Sequence, residues 1–166
     1  FDLFSKLPVN VKADKSPNGT LVVNRTVDSH EYDVVVFDFV HSAVLWPRFI
    51  PCASVCFTHN VEAEIFARHA KKAINFIQRW LWSSQCEKMT RFESEALSRF
   101  TTVIAVSERD ACFFVESYRV SDCHAIPTGV DLDFFSWQAP PPNNPDSTPT
   151  VVFTGSMDWA ANIDGV

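Results

Sequence analysis

The sequence predicts an α/β protein built on a parallel sheet flanked by helices, and three observations carry that prediction. The run Tyr32-Asp33-Val34-Val35-Val36-Phe37-Asp38-Phe39 is almost continuously β-branched or aromatic, the pattern of a strand covered on both faces. Two further runs, residues 53–58 and 101–106, repeat it. Between them, apolar residues recur at helical spacing. Strand, helix, strand, helix, strand with short links is the order of right-handed βαβ units, a Rossmann-like arrangement.

The composition bounds what such a chain can do. Its 166 residues are 46% hydrophobic and 20% charged, which suits a globular domain with a real core. A formal net charge of −6 argues against a general nucleic-acid binder, which needs a basic face. No apolar run approaches the roughly 20 residues of a membrane span. The cysteines, Cys52, Cys56, Cys86, Cys112 and Cys123, are odd in number and lack zinc-knuckle spacing. Cys52 and Cys56 flank a predicted strand and read as core filler, and the set suggests a reducing compartment. Phe1 is not an initiator, and Ile163-Asp164-Gly165-Val166 ends where a helix should continue, so the chain is expected to be part of a longer one.

Taken in order, residues 1–19 are polar and interrupted by Pro8, Pro17 and Gly19, and are expected to run over the surface. Leu21-Val22-Val23 is a weak strand candidate, with a short helix around Thr20 and Asn24 as the alternative. The run 32–39 is the first strong strand. Asp38 stands at its carboxyl end, where open α/β sheets place their ligands; the preferred reading is a cap on the following turn. A short helix or turn then ends at Pro47. The strand 53–58 follows, and Asn60 is a candidate N-cap with Glu62 and Glu64 suited to the positive end of a helix dipole.

The apolar set Ile65, Phe66, Ala70, Ala73, Ile74, Ile77 and Leu81 predicts one helix over 61–81, with a break at Ser83-Ser84. A second helix carries Met89, Phe92, Ala96 and Phe100 on one stripe, with Glu93 and Glu95 on the solvated side. After the strand 101–106, Ser107 caps a helix with Asp110 completing an approximate capping box, and Ala111, Phe114 and Val115 face inward. A fourth strand, Cys123-His124-Ala125-Ile126, ends at Pro127. Asp133-Phe134-Phe135 with Trp137 reads as an aromatic packing turn. Residues 1–138 therefore form the first domain, partial at its start. The five prolines Pro140, Pro141, Pro142, Pro145 and Pro149 make 139–149 a semi-rigid linker. Residues 150–166 open a second α/β domain with the strand 150–154 and a glycine, Gly155.

Five motifs then stand in a telling order: the 32–39 run, His59-Asn60-Val61-Glu62, Ala105-Val106-Ser107-Glu108-Arg109-Asp110, Pro127-Thr128-Gly129-Val130-Asp131, and Phe153-Thr154-Gly155-Ser156-Met157-Asp158-Trp159. Together they resemble the family-four glycosyltransferases of the GT-B fold, from about residue 32 to 166. The resemblance implies two Rossmann-like domains facing across a cleft. The first holds a saccharide or lipid-linked acceptor, and the second a nucleoside-diphosphate sugar. It implies transfer with retention of configuration, no metal, no cofactor beyond the sugar donor, and a cytoplasmic enzyme of polysaccharide biosynthesis, with peripheral attachment at the inner face of a membrane as an option. Thr101 and Ala161 depart from the family pattern. The glycine-rich loop of the first βα unit is not recognisable near Phe1. The basic residue and paired glutamates that grip the donor are absent up to Val166, so these residues alone are expected to be inactive.

The candidate site residues follow. His59, at a strand end, is the catalytic candidate, able to hydrogen-bond a sugar hydroxyl or support the departing diphosphate; the alternative is a histidine bonded to a backbone carbonyl. Asn60, Glu62, Gly129 and Asp131 are acceptor-side or cleft candidates. Gly129 offers a positive φ and close backbone approach. Asp131-Leu132-Asp133 is read as structural, not as a metal motif. Gly155 and Ser156, between a strand and a helix, are candidates for the donor phosphates, with Asp158, Trp159 and Asn162 shaping that loop. No nucleophile elbow, Walker loop or HExxH helix is present. A non-catalytic sugar or nucleotide-binding module, or a nucleotide-sugar epimerase, would share the architecture.

Overall fold

A computed structural model of the chain describes residues 5–136, 151–155 and 160–163. They fall into two compact units, Phe1–Gly129 and Val130–Val166.

The first unit is an α/β sheet of four parallel strands in the order β1-β2-β3-β4: β1 Val34–Asp38, β2 Ala53–Thr58, β3 Thr102–Ala105 and β4 Cys123–Ala125. The helices are α1 Val9–Asp14, α2 Pro17–Ser29, α3 Glu62–Lys72, α4 Phe76–Leu97 and α5 Glu108–Tyr118, with a 3-10 helix over Val40–Leu45. In register, Phe37 lies beside Cys56, and Cys56 beside Val103. These three are buried and form one face of the sheet, packed with Met89, Phe92, Leu97 and Phe114. Phe37, Trp46 and Phe100 make a ring cluster with centroids 4.9–5.3 Å apart, and the Arg99 guanidinium lies 5.3 Å over Trp46.

Several elements depart from the sequence reading. The polar start does not wander. Ser16 accepts from the Gly19 amide and Pro17 follows as the first helical residue, a start signal that the β-branched Val22-Val23 pair obscured. Val11 of α1 is fully buried, and the Val9 amide donates to Gln85 Oε1 at 2.9 Å. β1 is not covered on both faces: Val34 and Val36 are exposed while Phe37 is buried.

The long helix expected over 61–81 is two. It ends at Lys72, and α4 begins at Phe76 and runs through Ser83-Ser84 without a break. The cause is local capping. Asn75 Oδ1 accepts from the Gln78 amide, and Gln78 Oε1 accepts from the Ile74 amide, a reciprocal device close to a capping box. It outweighs the apolar spacing and leaves Ile74 and Ile77 exposed. Met89, Phe92 and Ala96 are buried on their stripe as expected; Glu93 is buried with them, against expectation. In α5, Ser107 accepts from the Asp110 amide and Ala111 and Phe114 face inward, but Val115 is exposed.

In the second unit, residues 132–134 form a turn, and α6 spans Ala160–Ile163. A strand was expected over 150–154; its described part, residues 151–154, pairs with no strand among the described residues. A strand is held by its ladder, and without a partner strand it does not form. Phe134 and Phe135 pack edge to face at 4.9 Å, as an aromatic turn would, but both stay exposed. The linker 139–149 lies outside the described residues, as do Trp137, Ser156, Asp158 and Trp159.

Candidate functional site

Parallel strands bring their carboxyl ends to one edge of the sheet, and that edge carries the candidates Asp38 and His59. Asp38 closes β1, and its register partner is Phe57 on β2. His59 follows β2 directly. Adjacent parallel strands therefore release Asp38 and His59 side by side, and His59 Nε2 lies 2.8 Å from Asp38 Oδ1. A carboxylate only accepts, so Nε2 carries the hydrogen, and in the singly protonated ring Nδ1 keeps a lone pair for a ligand hydroxyl. The His59 side chain is 47% exposed and that of Asp38 76%: the pair faces solvent. Two edge contacts, Phe57 at 5.0 Å and Phe39 at 5.7 Å, hold the ring. The turn-cap role preferred for Asp38 is not what forms; Phe39 is the cap position of the 3-10 helix, and no side-chain cap bond is made there.

Phe39 is the strained residue of this edge, at φ 77° and ψ 134°. Its amide donates to the Phe57 carbonyl, and its own carbonyl accepts from the Ser42 amide and hydroxyl. Those three bonds hold a backbone conformation that costs a non-glycine residue about 1–3 kcal/mol. Alanine at position 39 would lose the ring and keep the strain, whereas glycine would lose both. Phe39→Gly is therefore expected to be more stable than Phe39→Ala by about 1–2 kcal/mol in urea unfolding; equal stability of the two would show that the strain is absent.

Behind the edge lies a buried polar layer. Glu62, the first residue of α3, is buried, and its Oε2 stands 3.5 Å from His41 Nε2. Asn10 Nδ2 approaches the same nitrogen at 3.1 Å, and Asp14 lies 3.5 Å from Nδ1. Glu62 Oε1 has no hydrogen-bond partner. The N-terminus of α3 is not capped by Asn60, which is exposed; its cap position is Val61, with no side-chain cap bond. Glu93, from α4, does that work. Its Oε1 accepts from the Glu62 amide at 2.9 Å, and its Oε2 accepts from the Ala63 amide at 3.3 Å and the Tyr118 hydroxyl at 2.9 Å. Burial pushes the Glu93 carboxyl up to about 7, with the three hydrogen bonds pulling it back. Burial and that carboxylate push Tyr118 up as well.

The remaining candidates are placed as follows. Gly129 is exposed, and an added Cβ would meet nothing within 4 Å. No described glycine has a positive φ, so the left-handed backbone expected at Gly129 does not occur and the turn does not require glycine. Asp131 Oδ1 accepts from the Asp133 and Phe134 amides, both at 3.0 Å, an Asx turn that matches the structural reading of this motif. Gly155 packs closely: an added Cβ would lie 2.8 Å from Asn162 Nδ2 and 2.8 Å from the Phe153 ring. Ser156 is outside the described residues. The structure thus joins His59 to Asp38 and turns Glu62 inward, away from solvent. Phe39, His41 and Glu93 were missed. For Glu93 a signal existed, since it lies four residues from Met89 and one from Phe92 on the buried stripe.

Among the described residues, no three His, Cys, Asp or Glu side chains stand together as metal ligands, and no helix is long and apolar enough to cross a membrane. A sequence model of Glycosyltransferase Family 4 matches residues 6–134. No curated protein and no solved structure matches the chain.

Proposed function

The chain belongs to glycosyltransferase family 4, and from that premise we propose that it forms the acceptor side of an enzyme moving a sugar from a nucleoside-diphosphate donor to a saccharide or lipid-linked acceptor. In this reading the transfer retains the anomeric configuration and uses no metal. The enzyme works in the cytoplasm, at the inner face of a membrane when the acceptor is lipid-linked.

The observation that carries the reading is the His59–Asp38 pair at the carboxyl edge of the sheet. Asp38 fixes which ring nitrogen carries hydrogen, and the two aromatic edges fix the ring plane. His59 then offers one acceptor in a set position, which lowers the cost of orienting a sugar hydroxyl. Asn60, the exposed residue next to it in the chain, and Gly129 are assigned to the acceptor side. Asp131 shapes its own turn, and Glu62 acts from beneath the surface by anchoring His41. Gly155 and Ser156 are assigned to the donor's phosphates, through backbone amides.

The test is an assay of the enzyme containing this chain against a panel of nucleoside-diphosphate sugars, with and without saccharide and lipid-linked acceptors, in the presence and absence of a chelator. The expected result is sugar transferred only when an acceptor is present, at a rate the chelator leaves unchanged. Donor converted without any acceptor would replace the proposal with an epimerase. Donor bound but never converted would replace it with a binding module.

A further inference from the structure

Helices α3 and α4 form a hairpin, held at its base by Cys86 Sγ on the Ala63 carbonyl and along its length by Trp82, stacked on His69 at 4.8 Å and tilted against Phe66 at 6.0 Å. Its tip is apolar and open to solvent. Ile74 is 93% exposed, Phe76 81%, Trp80 60% and Ile77 55%. A solvated helix end does not ordinarily present four such side chains together. Arg68, Lys71 and Lys72 precede the tip on α3 and Arg79 stands on α4, and residues 65–86 contain no acidic side chain, in a chain of net charge −6. The charge is segregated along the chain, and cations flank the apolar tip on both helices.

We propose that this hairpin tip docks on an anionic lipid surface. Ile74, Phe76 and Ile77 enter the boundary between headgroups and acyl chains, Trp80 sits at headgroup level, and the four cations pair with lipid phosphates. A second copy of the chain fits the same tip less well, because a two-fold contact would set the four cations against their own copies. The groove beside the tip, about 340 Å³ and lined by His69, Lys72, Ile74, Gln78, Leu81 and Trp82, has room for one headgroup. The inference deepens the membrane-side part of the proposed function, but its test contains no sugar and no nucleotide, so either reading can fail alone.

The experiment is flotation of the chain with phosphatidylcholine vesicles, with and without phosphatidylglycerol. Binding is expected only with phosphatidylglycerol, falling as salt rises, and weakening about fivefold for each of Lys71→Ala and Lys72→Ala. Phe76→Ser and Trp80→Ser, at exposed positions, are expected to abolish flotation and leave the thermal midpoint unchanged. No flotation with phosphatidylglycerol, or flotation that Phe76→Ser leaves intact, would overturn the proposal. So would a dimer in sedimentation that Phe76→Ser dissociates, which would give the tip to a second copy.

Discussion

Glu93→Ala is expected to destabilise the first unit by about 4 kcal/mol, a large fraction of the roughly 5–15 kcal/mol that holds a domain folded. The residue is fully buried and serves three donors at once: the amides of Glu62 and Ala63, and the Tyr118 hydroxyl. Each donor left buried without a partner costs about 1–3 kcal/mol, and the lost side chain adds a cavity. Relief of a buried carboxylate works in the opposite direction but is smaller, because the three donors already stabilise the charge. The same group makes stability depend on pH. Its folded pKa, about 7, lies above the ordinary 4.5. A group raised in this way contributes stability that is fully present below the unfolded value and is lost as pH rises through the folded one. The urea midpoint is therefore expected to fall between pH 5 and pH 8, by up to roughly 3 kcal/mol in free energy. In Glu93→Gln, less stable throughout because its amide must face a donor, that slope should vanish. A flat wild-type profile would show that burial does not raise the Glu93 pKa, and an alanine variant within about 1 kcal/mol of wild type would show that the carboxylate is not the cap.

The reason Glu93 escaped the sequence reading shows what a sequence can carry. Repetitive signals were legible. The runs at 32–39, 53–58 and 101–106 became β1, β2 and β3, and Ser107 with Asp110 began α5, because period and capping are local properties of neighbouring residues. Glu93 is defined by partners 30 and 31 residues earlier and 25 later. A charged residue on a helix is read as solvated because burial without a partner is costly, and nothing nearby in sequence announces the partner. His41 escaped for the same reason. His59 was legible through its place at a strand end, but Asp38 as its companion follows only from the register that sets Asp38 beside Phe57. The split between α3 and α4 was written locally, in Asn75 and Gln78, and lost to a periodicity that ran across it.

His59→Ala is expected to lower kcat/KM of the enzyme containing this chain by about 10²–10³-fold, the usual worth of a positioned acid–base or hydrogen-bonding side chain. Asp38→Ala should cost about tenfold, since Asp38 acts on the ligand only through the ring it orients. The double variant is the decisive member of the set. If Asp38 works through His59, removing it once the ring is gone should cost nothing more, and the two losses will not add. If the two contact different parts of the substrates, the losses will multiply. Stability offers the control: both side chains face solvent, so the unfolding free energies of all three variants should stay within about 0.5 kcal/mol of wild type. A His59→Ala enzyme within threefold of wild-type activity would take the chemistry away from this edge of the sheet. Multiplying losses would leave His59 in place and make Asp38 a substrate contact in its own right.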